Sequence, residues 1–180
     1  MVFPHDTEAA LVAAVELVNS AVPPDTLRTV AELDRFFTTH RYTGSRRHDH
    51  TELDEVRALR PRLRTLLTSD RDAAAALVNQ MLFETGALPQ LVRHDGNDWH
   101  IHAVGAERRL ADRILVETAM AMVDLIRADE LSRLDVCADA DCDGLVLDLS
   151  RNRSRKFCST TCGNRAAVAA YRARQAAGQA

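Results

Sequence analysis

Lysine is almost missing from this 180-residue chain: Lys156 stands alone among 22 arginines. Aromatic residues make up only 4%, while alanine supplies 28 positions, a balance that favours helices over sheets. No apolar run approaches the roughly 18 residues of a membrane span. The first twenty residues offer no basic start; they carry His5, Asp6 and Glu8, and Glu16 interrupts the apolar stretch over 9–18. A secretory signal needs both features, so a cytoplasmic protein is expected. Cysteine is absent from the first 136 residues, and acid is absent after Asp148. No internal repeat or low-complexity tract is present. What remains is 46% hydrophobic and 27% charged, a globular composition for one domain, or one domain with a small appendage.

The net charge of −3 excludes a uniformly basic nucleic-acid coat, yet it hides an asymmetry. Residues 151–180 hold Arg151, Arg153, Arg155, Lys156, Arg165, Arg172 and Arg174 and no acid, giving +7. The other 150 residues hold 16 bases and 26 acids, giving −10. An acidic body with a basic end implies two jobs. Intramolecular pairing of the two is one of the outcomes it allows.

Residues 1–133 read as a helical domain around one hairpin. Leu11, Val15, Val18 and Val22 recur at helical spacing until Pro23-Pro24. Leu27, Val30, Leu33 and Phe36 repeat the pattern, with Asp25 placed to cap. Thr51 and Asp54 resemble a capping box before Leu53, Val56, Leu59, Leu63 and Leu66. Pro61 is expected to kink or break that helix. Ser69 and Asp72 are expected to cap a fourth helix ending near Gly86. Residues 107–130 predict the longest helix. Leu110, Ile114, Leu115, Met120, Met122, Val123 and Ile126 cover more than one of its faces, so it is expected to be central and buried.

Between the fourth and fifth helices, Asp95-Gly96-Asn97-Asp98 is a hairpin-turn signal. A turn there puts Val92, His94, Trp99 and Ile101 on one face, and Leu91, Arg93, His100 and His102 on the other. His94, His100 and His102 are the candidate ligand or metal residues of this domain. The bland alternative is a solvated strand face. His40, His48 and His50 flank the loop over 42–49. Its Arg46-Arg47 pair reads as solvated, or less readily as a phosphate contact.

The C-terminal residues 134–180 carry the specific pattern, Cys137-x4-Cys142-x15-Cys158-x3-Cys162. Two short pairs about fifteen residues apart make a four-thiolate zinc site, because zinc binds sulfur strongly and takes four ligands tetrahedrally. Clustered cysteines in a cytoplasmic protein favour metal over disulfides. So short a segment buries little core, and one structural Zn²⁺ per chain would supply its stability. Four thiolates leave no position for a catalytic water. Residues 145–149 read as a strand and 165–175 as a helix. Cys158 and Cys162, spaced i, i+4, are expected on one face of its first turn. Gly163 costs a helix about 1 kcal/mol against alanine, so a close backbone approach is expected there. The predicted fold is mainly α with a small β-hairpin (α+β), ending in a treble-clef-like module.

The run Asp148-x-Ser150-Arg151-Asn152-Arg153-Ser154-Arg155-Lys156-Phe157-Cys158-Ser159, followed by Cys162-Gly163-Asn164-Arg165, resembles the CGNR zinc finger. In that family the finger follows a helical domain called ABATE. Glu16-Leu17-Val18-Asn19-Ser20 and residues 52–64 resemble that domain, so the resemblance spans the whole chain. Val146 stands where the family tends to have an aromatic, Phe157 where it has tryptophan, and Ala167 near a basic position. The last departure removes one phosphate contact. The resemblance implies a stress-induced transcriptional regulator.

The expected partner is therefore DNA. Arg151, Arg153, Arg155 and Lys156 would neutralise phosphates. Arg165 and Arg172, seven apart on one helix face, are candidates for phosphate or base-edge contact, and Asn164 for adenine. Four to six such contacts imply a salt slope of about −4 to −5. The helical domain would sense a small-molecule or stress effector, or form a homodimer. A second reading is a protein-interaction adaptor that docks through Phe157 and Tyr171. RNA is a variant of it, disfavoured by the lack of a stacked aromatic platform. A metal-dependent enzyme built on His94, His100 and His102 is a third, and it predicts a second metal. With no nucleophile–base pair and no carboxylate set of recognisable spacing, no enzyme is expected.

Overall fold

The computed structural model describes residues 3–93 and 99–177, in which six helices and two strand pairs follow one another. The body comprises α1 (His5–Asn19), α2 (Val30–Thr39), α3 (His50–Leu67), α4 (Arg71–Thr85), β1 (Gln90–Val92), β2 (His100–His102) and α5 (Leu110–Arg127). A short 3₁₀ turn (Leu131–Arg133) leads into β3 (Leu134–Val136), β4 (Leu145–Leu147) and α6 (Thr160–Ala177). The architecture is the predicted one, mainly helical with small antiparallel hairpins. No described helix is long and apolar enough to cross a membrane.

Helix α5 sits against α1, α3 and α4. Leu110, Ile114, Leu115, Met122 and Leu125 are buried along it, so the expectation of a central helix holds. At 18 residues it is matched in length by α3 and α6, and so is not the longest. Thr118 is fully buried there, and its hydroxyl is satisfied by the Ile114 carbonyl at 2.8 Å.

The helix caps differ from expectation by one to four residues. Thr29, not Asp25, caps α2, in a capping box with Glu32. Asp25 instead accepts from Leu27 N (2.8 Å) and binds the buried Arg60 guanidinium. Asp49 caps α3 and Asp70 caps α4, each accepting from the amide three residues on. Gly86 ends α4 at φ +60°, as read from the sequence. Pro61 neither breaks nor ends α3. Its missing N–H costs about 3 kcal/mol in a helix interior. The fully buried Val56, Leu63 and Leu66 on either side outweigh that cost.

The first hairpin pairs Val92 with His100, Leu91 with Ile101 and Gln90 with His102. Val92 therefore shares a face with His100, and Leu91 with Ile101, the reverse of the predicted grouping. A one-residue change in register swaps every side chain to the other face. The predicted turn residues and His94 lie outside the described residues.

The second strand pair is built into the body. Leu145 and Leu147 of β4 are buried in the same core as Leu11, Leu17 and Leu63. Asn19, the last residue of α1, completes the join. Its amide nitrogen donates to the Leu145 carbonyl (2.8 Å), and its oxygen accepts from Leu145 N (2.6 Å). One side chain thus satisfies both backbone groups of a strand residue, as a neighbouring strand would. Arg64 adds a hydrogen bond from α3 to the Asp143 carbonyl.

Candidate metal centre and basic face

Four thiols converge beside the second hairpin. Cys137 follows β3, Cys142 lies in the turn before β4, Cys158 precedes α6, and Cys162 lies in its first turn. Their Sγ atoms all lie within 4.8 Å of one another, with Cys142–Cys158 at 3.5 Å and Cys158–Cys162 at 3.6 Å. Tetrahedral bonds of about 2.3 Å place neighbouring sulfurs about 3.8 Å apart, so these four fit one ion. Cys158 lies outside the helix, contrary to the expected shared face, because Ser159 caps it: its Oγ accepts from Cys162 N at 3.2 Å.

The surroundings of the sulfurs suit thiolate charge. Amides point at two of them: Cys158 N at Cys137 Sγ (3.4 Å) and Gly144 N at Cys142 Sγ (3.4 Å). For Cys137 burial opposes ionisation, but the Cys158 and Asp139 amides and the neighbouring thiols outweigh it and the pKa falls. Burial, followed by the adjacent sulfurs, pushes Cys158 far up. Four thiols this close cannot all ionise without a cation between them.

Gly144, not Gly163, is the glycine the sulfurs require. A Cβ on Gly144 would stand 2.8 Å from Cys158 Sγ, whereas one on Gly163 meets only the Phe157 ring at 3.5 Å. Gly144→Ala is therefore expected to weaken metal binding by about tenfold or more, because its methyl group would push against a ligand sulfur. Competition with a chromophoric chelator measures it. Unchanged affinity would show that the two strands open to make room.

The basic loop 151–156 is held in shape from beneath. The buried Asp148 carboxylate accepts from Ser150 N (2.8 Å) and Arg155 N (2.6 Å). Burial raises its pKa, but these hydrogen bonds outweigh it and the carboxyl stays below its ordinary value. Arg133, also buried, donates to the carbonyls of Asp148 and Ser150. Sequence reading missed Arg133, which looks like any surface arginine until its burial is seen. Arg153, at φ +48°, closes the loop by pairing with Glu130 at 2.6 Å.

The predicted contact residues therefore separate. Arg165 is drawn to the metal centre, binding the buried Asp139 (2.6 Å) and reaching Cys162 Sγ (3.5 Å). That hydrogen bond lowers the Asp139 pKa. Arg155 donates to the Phe157 and Cys158 carbonyls. Arg151, Lys156, Asn164 and Arg172 are exposed, and so is Arg174. Among the described residues no acid pairs with Arg151, Lys156, Arg172 or Arg174, so the ion pairs to this basic end are those of Arg153 with Glu130 and Arg165 with Asp139.

In the body, His100 and His102 do meet, Nε2 to Nε2 at 2.9 Å. His48 binds Asp34 at 2.9 Å. Arg46 is not solvated as expected. It is buried between Asp34 and Glu52 and lies 4.6 Å above the Phe37 ring. Burial disfavours the Glu52 charge, but Arg46 and the Arg47 and His48 amides outweigh it and lower the pKa. Among the described residues the four cysteines form the metal-ligand cluster, and the histidines join none.

A helical domain latched to a four-cysteine finger is the class these features define. Residues 11–129 match the ABATE model, described as "Putative stress-induced transcription regulator", and residues 133–175 match the CGNR zinc finger model. The chain belongs to the ABATE family and carries a CGNR zinc finger. A comparison with curated proteins finds no match.

Proposed function

We propose that the protein is a non-catalytic transcription regulator whose finger, folded around one Zn²⁺, binds DNA. The observation that carries this reading is the set of exposed basic residues, Arg151, Lys156, Arg172 and Arg174, with no acidic partner among the described residues. Arg151 and Lys156 sit on a loop whose backbone Asp148 and Arg133 hold in place. Arg172 and Arg174 project from α6, most of which faces solvent. Arg165, by contrast, fixes the finger's own geometry. Four phosphate contacts imply a salt slope near −4. Fluorescence anisotropy of a random duplex across salt concentrations tests it. Arg172→Ala with Arg174→Ala is expected to reduce the slope by about two. A flat salt dependence would remove DNA as the partner.

The helical body serves as sensor or dimerisation unit. Leu88, Leu91 and Ile101 leave an exposed apolar surface on the first hairpin, of the kind that partners cover. The adaptor reading draws on a different observation, the exposure of Val168 and Tyr171 on α6. It predicts binding to a protein partner that is insensitive to salt.

A further inference from the structure

Between α1, α5 and the first hairpin lies a cleft of about 500 Å³, the size of a small-molecule site. Two polar groups in its wall are left without partners. The Tyr42 hydroxyl is buried and makes no hydrogen bond. The Glu117 carboxylate lines the same cleft and accepts no hydrogen bond from any described residue. A buried hydroxyl such as that of Tyr42 is ordinarily satisfied, and its lack of a partner is costly unless something else supplies one, while the half-buried Glu117 opens to the cleft.

The charges around the cleft indicate what that is. Asp6, Glu117 and Asp124 line it, and the basic side chains beside them are the Arg41 guanidinium and the imidazoles of His5, His40, His100 and His102. Asp6 acts on Glu117 in the same sense as burial, against its ionisation. Arg113 lies behind and opposes this; its two terminal nitrogens are taken by the carbonyls of Ala106, Arg108 and Ser45, and its buried Nε has no partner and makes no hydrogen bond to Glu117. Asp6 and Asp124 already accept hydrogen bonds from Ile101 N and the Thr7 hydroxyl, so Glu117 is the acceptor left open. A metal ion is a poor fit, since no described carboxylates or histidines gather as a ligand set here. Apolar surface supplies the rest: Val116 and Met120 line the cleft, and Trp99, 63% exposed, stands in its wall.

We infer that the body binds a small organic cation, an amine or amidine on an apolar or aromatic frame, with its charged nitrogen between Glu117 and Tyr42. The nitrogen donates to both oxygens, and the frame lies against Met120 and Trp99, where an indole face favours a cation. The inference rests on the reading of the body as a sensor and names what it senses.

Trp99 is the only tryptophan, so its fluorescence reports the cleft directly. The full-length, metal-loaded protein is titrated with benzamidine, and with benzoate and benzyl alcohol as anionic and neutral counterparts. Saturable binding of benzamidine is expected, with benzoate and benzyl alcohol at least about tenfold weaker. Glu117→Gln is expected to weaken benzamidine by about tenfold or more. Tyr42→Phe, which keeps the ring, is expected to weaken it several-fold. Equal binding of benzoate or benzyl alcohol, no saturation into the millimolar range, or unchanged affinity in Glu117→Gln would overturn the inference. No DNA is present in this assay. A chain that binds benzamidine but not duplex keeps the site and loses the DNA reading. The converse removes the site alone.

Discussion

Cys162→Ser is expected to abolish stable metal binding and to unfold the finger. The argument rests on how little else holds it. Apart from Leu145 and Leu147, the apolar side chains the finger buries among the described residues are Cys137, Val146 and Cys162, with Phe157 packed partly against them. Three small side chains cannot offset the ordering of some forty residues at about 1–2 kcal/mol each. A structural zinc site of this kind contributes roughly 10–16 kcal/mol. Serine is a poor substitute for a thiolate, and its loss also frees Arg165 and the first turn of α6. The damage then reaches the body, because Leu145 and Leu147 belong to its core. Colorimetric metal release should fall from one ion per chain to none, and thermal unfolding should begin at lower temperature. A variant that keeps its ion and its melting temperature would refute the assignment of Cys162 as a ligand.

The second large effect concerns Glu117. Burial, the leading cause, raises its pKa from 4.5 to about 7 against the opposing pull of Arg113. Below the unfolded value both states hold the proton, and the buried carboxyl costs nothing through titration. As pH rises towards 7 the unfolded chain releases the proton first, so stability falls. Above 7 the penalty is complete, at most about 3 kcal/mol. Glu117→Gln keeps the shape of the protonated side chain and removes the titration. It is expected to be more stable than the parent by up to about 3 kcal/mol near pH 8, with the difference vanishing near pH 4. Urea midpoints of the pair at several pH values measure this, and any contribution of the metal cancels in the comparison. A difference independent of pH would mean that Glu117 is ionised and satisfied throughout.

The cysteine spacing was legible because metal ligation fixes residue type and separation together. The body helices were legible through their apolar period, which survives substitution at single positions. Pro61 misled because local propensity cannot register how much core α3 buries on each side of it. The hairpin faces came out reversed because a turn signal does not fix register when seven residues separate the paired Val92 and His100. Glu117 was passed over inside an apolar run. A lone acid among Ile114, Leu115, Val116 and Met120 was the available signal. Asn19 stood out in the helix motif, but its partner lies 126 residues away in sequence. Arg46 and Arg133 had no signal, since burial of an arginine depends on what folds over it.

The paired hydrogen bonds of Asn19 have a mechanical consequence. A hinge needs a joint that turns without breaking bonds or uncovering core. Between α1 and β4 every rotation would pull the amide from both backbone groups of Leu145 and draw two leucines out of the interior. Swinging the finger out from the body would therefore break both bonds and expose both leucines. If the body is the sensor proposed above, its signal would reach the basic face by steering the entire molecule, like a fixed tooth on a clasp.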